Sequence, residues 1–328
     1  MATCPSFFAR HFGLALLAAV SLWGGSVQAQ PFPSRAVTIV NPYPAGGGAD
    51  NLIRTVATQL SQEWGQPVLI ENRPGAGTTL AAAHVAKAKP DGYTLLLSSS
   101  QHAIAPLLFK NLPYDYLSQL SPIATLSFSA FMLVTPSASE LQTVAQLMDA
   151  LRKRGDRMNF ASSGQASLPH LSGVMLNQAT NAKAAHVPYA GTSPATQAVI
   201  GGTVDFLFAD NSVLPLIQSG KVKALAVTSD KRSERFPNIP TLSETLPGFE
   251  VTVWTGLEAP AGTPRSVIDR IHTSIMAVMK QPVVVKFFSD TSRDMKILGP
   301  EEFARFKEAE VKGFAQLVQK AQLNLSEN

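Results

Sequence analysis

The stretch Val37-Thr38-Ile39-Val40-Asn41-Pro42-Tyr43-Pro44-Ala45-Gly46-Gly47-Gly48-Ala49-Asp50 decides the fold. Val37 to Val40 read as a short apolar strand, and Pro42 to Asp50 as a glycine-rich turn. Beyond it Leu52, Ile53, Val56, Leu60 and Trp64 share one face of a helix. The cycle repeats at once, with a strand at Val68-Leu69-Ile70, a helix from Thr78 to Lys87, and a strand at Thr94-Leu95-Leu96-Leu97 that runs into Ser98-Ser99-Ser100. Further strands are predicted near Asn159-Phe160-Ala161, His186-Val187, Val204 to Phe208 and Lys223 to Val227. The C-terminal third is helical, with Val267, Ile268, Ile271, Ile275 and Val278 on one stripe. This is α/β alternation, which predicts mainly parallel sheets with helices on both faces.

Composition narrows the class. Of 328 residues 45% are hydrophobic and 15% charged, which excludes a disordered chain and a coiled coil. The length suggests two domains. The net charge of +4 comes from 27 basic and 23 acidic residues with no run of five like charges, so no nucleic acid is expected as a partner. Residues 1–29 read as a signal peptide: Arg10 and His11, an apolar run from Phe12 to Trp23, and a small-x-small end at Val27-Gln28-Ala29. The run is shorter than the ~20 apolar residues a membrane span needs, which disfavours the alternative of an N-terminal anchor. Cys4 is the sole cysteine and precedes that run, so the exported chain, starting at Gln30 with a charge of +3, is expected to carry neither a disulfide nor a cysteine-linked lipid.

In open α/β sheets ligands bind beyond the carboxyl ends of the strands, where helix N-termini present free N–H groups. Four loops qualify: Tyr43 to Asp50, Ser98 to His102, Ala161 to Ser167, and Val187 to Pro194. Asp50 reads first as the N-cap of its helix and second as a ligand contact, and Ser193 as a cap with Pro194 in the first turn. None of the four contains Lys or Arg, while Arg54 and Arg73 read as structural. The expected pocket therefore holds an anion by backbone N–H groups and hydroxyls, without an arginine.

Enzymatic readings fail on their own residues. Gly75-Ala76-Gly77-Thr78-Thr79-Leu80 and Gly46-Gly47-Gly48-Ala49-Asp50-Asn51 each lack the third glycine of a dinucleotide fingerprint, and no phosphate-loop Gly-Lys-Ser/Thr occurs. Gly191-Thr192-Ser193-Pro194-Ala195 approaches a nucleophile elbow, but proline after the serine removes an oxyanion-hole donor. The six histidines form no i, i+4 pair, so no metal or other cofactor is expected. Asp210 with His102 is the one candidate dyad.

Taken in order, Pro42-Tyr43-Pro44-Ala45-Gly46-Gly47 with Asp50, Glu71-Asn72-Arg73-Pro74-Gly75-Ala76-Gly77, Pro90-Asp91-Gly92-Tyr93-Thr94-Leu95-Leu96, Asn159-Phe160-Ala161-Ser162-Ser163-Gly164, His186-Val187-Pro188-Tyr189, Gly201-Gly202-Thr203-Val204-Asp205, Ile239-Pro240-Thr241 and Ala259-Pro260-Ala261-Gly262-Thr263-Pro264 carry a resemblance. From about Pro33 onward the chain resembles the Bug-type periplasmic solute-binding receptors of tripartite tricarboxylate transporters. The resemblance implies a monomeric, two-lobed Venus flytrap in the periplasm. Lobe 1 would comprise residues 30–130 and 253–328, lobe 2 residues 131–252, with hinge crossings near Ala130 and Val253. It further implies a small organic carboxylate (a di- or tricarboxylate, an amino acid or an aromatic acid) as ligand, delivered to integral-membrane transporter subunits. The implied contacts are Tyr43, Ala45, Gly46, Gly47, Asp50, Ser100 and Gln101 from lobe 1, and Ser162, Ser163, Ser167, Tyr189, Gly191 and Asp210 from lobe 2. Ser98-Ser99-Ser100, Ala166 and Ala190 depart from the family pattern on the loops that choose the ligand. A receptor serving a sensor partner, or an enzyme on the same scaffold, are the alternatives.

Overall fold

The computed structural model describes residues 1, 32–109, 111–165, 167–233, 236–291 and 293–320; the expected signal peptide falls on residues outside these, apart from Met1. Every element below belongs to the unit Arg35–Asn328. A first series runs β1 (Val37–Asn41), α1 (Gly48–Trp64), β2 (Val68–Asn72), α2 (Thr79–Ala86), β3 (Thr94–Ser99), α3 (Ser100–Leu108) and β4 (Leu120–Ala130). A second starts at β5 (Met132–Pro136) and continues α4 (Val144–Arg154), β6 (Asn159–Ser162), α5 (Leu168–Thr180), β7 (Ala185–Pro188), α6 (Thr192–Ile200), β8 (Phe206–Ala209), α7 (Leu214–Gln218) and β9 (Val222–Val227). The chain closes with β10 (Thr252–Pro260), α8 (Arg265–Val278), α9 (Pro282–Thr291) and α10 (Pro300–Lys320).

These strands form two five-stranded sheets of the same plan, ordered β2-β1-β3-β10-β4 and β7-β6-β8-β5-β9. In the first, β1 is parallel to β2 and β3, and β10 is antiparallel to β3 and β4. In the second, β6 is parallel to β7 and β8, and β5 is antiparallel to β8 and β9. The antiparallel strand of each sheet is thus the segment by which the chain enters it from the other. The result is a two-lobed α/β fold with helices flanking both sheets. Strands β4, β5 and β10 are additions to the sequence reading, which identified only the parallel members and β9.

Burial explains the parallel strands. In β8, Phe206 and Phe208 face one apolar cluster while Leu207 and Ala209 face another, so both sides of the sheet are covered and the strand needs no polar alternation. The first lobe's core joins Val40 and Leu96 to Trp254 and Phe303, whose rings meet edge to face at 5.2 Å. Helix α10 is tied to that sheet by a buried ion pair between Lys307 and Glu258. The Lys307 ammonium also donates to the Leu120 carbonyl at 2.9 Å, and the Tyr116 hydroxyl donates to Glu258 at 2.9 Å, so the buried charges are satisfied.

Candidate functional site

The β1–α1 loop is shaped by a carboxylate that sits behind it. Asp50 is only 1% exposed and accepts hydrogen bonds from the Gly46 N–H (2.9 Å), Asn41 (3.1 Å), Asn72 (2.8 Å) and Arg54 (2.7 Å). The Arg54 hydrogen bond is the chief reason its pKa lies well below the usual carboxylate range. Two expectations are corrected here. The N-cap is Gly47, with Asp50 three residues on, and Asp50 faces this network and not the cavity. Gly46, at φ +82°, needs its glycine because a side chain is strained there. Its N–H is already spent on Asp50, which leaves the first-turn N–H groups of Gly48 and Ala49, lacking acceptors within the helix, as the donors at this end.

The second loop adds hydroxyls. Tyr43 and Ser99 share a 2.7 Å hydrogen bond, and burial raises the tyrosine pKa. Ser99 caps α3 in a box with His102, whose Nδ1 accepts the Ser99 N–H at 3.1 Å. His102 is buried, stacks on Tyr116 at 5.9 Å, and has its pKa pushed down to about 4 by burial. It is not on the cavity wall, whereas Asp210 is, so the two do not form the dyad considered above. Asp210 instead accepts from the Thr192 hydroxyl at 3.1 Å and the Ser212 N–H at 2.9 Å.

In the second lobe Ser162 is fully buried, its Oγ 2.6 Å from His186 Nε2 and 2.8 Å from the Gly164 carbonyl. Ser167 caps α5 and donates to the same carbonyl at 2.7 Å. Tyr189 packs against the Leu207 cluster with its N–H on the Ser162 carbonyl (3.0 Å), and Gly191, at φ +112°, caps α6 in place of Ser193.

Between the sheets lies a cavity of about 860 Å³. Tyr43, Ala45, Gly46, Gly47, Ser100 and Gln101 reach its wall from one lobe, and Ser163, Ser167 and Asp210 from the other. Ser162, Tyr189 and Gly191, like Asp50, stand off the wall and support the loops that form it. The sequence reading missed Thr192 and Asn211, the crossing-strand residues Ser129, Ala130, Phe131, Val253 and Thr255, and Phe287, Thr291 and Arg293 at the end of α9. Arg293 corrects the expectation that no arginine reaches the site. Thr192 lies inside a quoted loop and was within reach; nothing local marks Arg293. The wall sets N–H and O–H donors within a larger apolar surface, which suits an anion with a hydrocarbon body. Among the described residues, no three His, Cys, Asp or Glu side chains gather as a metal ion would require.

The chain is similar to known proteins along most of its length. Residues 52–323 match the profile of the tripartite tricarboxylate transporter family receptor. Protein BugT of Bordetella pertussis is 32% identical over 296 residues, covering 89% of this chain and 91% of its own. Among solved structures, the periplasmic binding protein BugD superposes with a TM-score of 0.76 at 32% identity, covering 90% of this chain and all of that one (100%). MatC of Rhodopseudomonas palustris with bound malate gives 0.75 at 32% identity, over 88% of this chain and 100% of its own.

Proposed function

The chain belongs to the tripartite tricarboxylate transporter receptor family, whose members are periplasmic solute-binding proteins, and on that premise we propose that it captures a small organic carboxylate between its two lobes and delivers it to membrane subunits of such a transporter. The observation that carries the reading is the shared cavity wall, on which the first turn of α1 and the Tyr43 to Gly47 loop face Ser163, Ser167 and Thr192 from the other sheet. Several N–H and O–H donors converging where lobe closure would expel water make charge-assisted hydrogen bonds to a carboxylate. The malate-bound relative supports a carboxylate as the ligand class.

The test is a thermal-shift screen of the chain from Gln30 with malate, citrate, adipate, glutamate and benzoate. A ligand at 100 times its Kd adds ~2.7 kcal/mol of stability, enough to move the melting temperature by several degrees. At least one acid should do so while the corresponding uncharged amide does not. Amides that work as well as acids would refute the carboxylate reading.

A further inference from the structure

Arg293 follows α9, and the backbone of its neighbour Asp294 pairs with Phe128 of β4 through two 2.9 Å hydrogen bonds, so the residue is fixed to the first lobe. Its guanidinium lies on the cavity wall against the start of α1. A Cβ placed on Gly48 would stand 2.7 Å from Arg293 Nη2, so the missing side chain at 48 is what makes room for it. The position is unusual in its charge. The other described arginines either form ion pairs, as Arg54 does with Asp50 and Arg232 with Glu244, or, like Arg154, Arg157 and Arg305, stand exposed in solvent. Arg293 is half-buried, and among the described residues no carboxylate comes within ion-pairing distance of it. Asp210 across the cavity acts on it only through its field, being engaged by Thr192 and Ser212. Burial lowers the arginine's pKa, as expected for a cation that has lost water without gaining a partner. The neighbouring helix end is itself positive, so two anion-seeking groups share the same stretch of cavity wall.

We propose that Arg293 recognises the ligand's charge, its guanidinium and the first turn of α1 converging on one carboxylate while the second lobe's hydroxyls hold the rest of the molecule. This rests on the carboxylate reading above and deepens it. A guanidinium offers two parallel N–H donors to two carboxylate oxygens, a match that a sulfonamide, an alcohol or an amide cannot reproduce.

The experiment compares four chains starting at Gln30: the parent, Arg293→Gln, Gly48→Ala, and Lys296→Gln as a charge control from the same segment lying over the Phe128 ring. Each is melted alone and titrated calorimetrically with malate, citrate, adipate, glutamate and benzoate. Arg293→Gln should melt alone at or above the parent's temperature, because it removes an uncompensated charge. It should bind the acid that the parent prefers about 10- to 100-fold more weakly, the range for a hydrogen bond to a charged group. Gly48→Ala, whose methyl displaces the guanidinium while suiting a helix, should weaken the same acid, and Lys296→Gln should bind like the parent. Binding by Arg293→Gln within twofold of the parent, or a lowered melting temperature in its absence, would overturn the assignment while leaving the carboxylate reading intact. A parent that responds to none of the five acids would instead overturn the carboxylate reading, and this assignment with it.

Discussion

Asp50 does its work one layer behind the ligand. Four donors converge on its buried carboxylate, one of them the Gly46 N–H that sets the path of the loop. Asp50→Ala strands the buried amide of Asn41 and takes one of two acceptors from the half-buried Asn72 amide, which keeps the Tyr43 carbonyl. It should therefore cost about 1–3 kcal/mol in urea unfolding and weaken acid binding as the loop loses its tether. A variant with parent stability would show that the network is dispensable. Ser163, on the wall, should behave oppositely: Ser163→Ala should weaken a bound acid by ~1–2 kcal/mol in calorimetry with little change in melting temperature. Legibility follows chemistry here. Asp50 and Arg54 stand four apart on a predicted helix, and the glycines announce a close approach of backbone. Arg293 sits in an aperiodic stretch between two helices at the other end of the chain, and only tertiary packing brings it to Gly48.

Among the elements, the parallel strands announce themselves because both faces are covered. Leu120–Ala130 reads Leu-Ser-Pro-Ile-Ala-Thr-Leu-Ser-Phe-Ser-Ala, with serines, a threonine and a proline breaking the apolar run, and Gly256 interrupts β10. Those residues are strand because β4 and β10 pair with each other along most of their length, with two register shifts, a relation between segments over a hundred residues apart that no local pattern encodes. The element next to the site carries a pH dependence. His170 of α5 and His186 of β7 stack at 3.7 Å, and His186, its pKa pushed down to about 4 by burial and then by His170, is neutral near pH 7. The unfolded chain takes up that proton near pH 6.5 and the folded one only near 4, so stability is complete above about 6.5 and falls as pH drops from there toward 4. Melting curves across that range should show the decline, and His170→Phe, which keeps the ring stack but removes one titrating group, should flatten it. An unchanged slope would mean that the pair does not drive it. In the first lobe, Lys307→Met leaves Glu258 buried without its cation and should cost about 3–5 kcal/mol, part of which Glu258→Gln in the same chain should restore.

At the scale of the whole molecule, the two crossings make the cavity. β4 ends at Ala130 in one sheet and β5 begins at Met132 in the other; between them Phe131 exchanges hydrogen bonds with Thr228, whose carbonyl accepts the Val251 N–H just before β10. Ser129, Ala130, Phe131, Val253 and Thr255 on these segments lie on the cavity wall, so a bend at the crossings would change the distance between the Gly47 and Ser163 loops. The Asn211 side chain already donates to the Thr291 carbonyl at 3.3 Å across that space. The most direct measurement is a crystal structure of the chain from Gln30 grown with whichever of the five acids raises its melting temperature most. The account predicts a carboxylate seated between the first turn of α1 and Ser163, touching both lobes; an acid bound to one lobe alone, or outside the cavity, would contradict it.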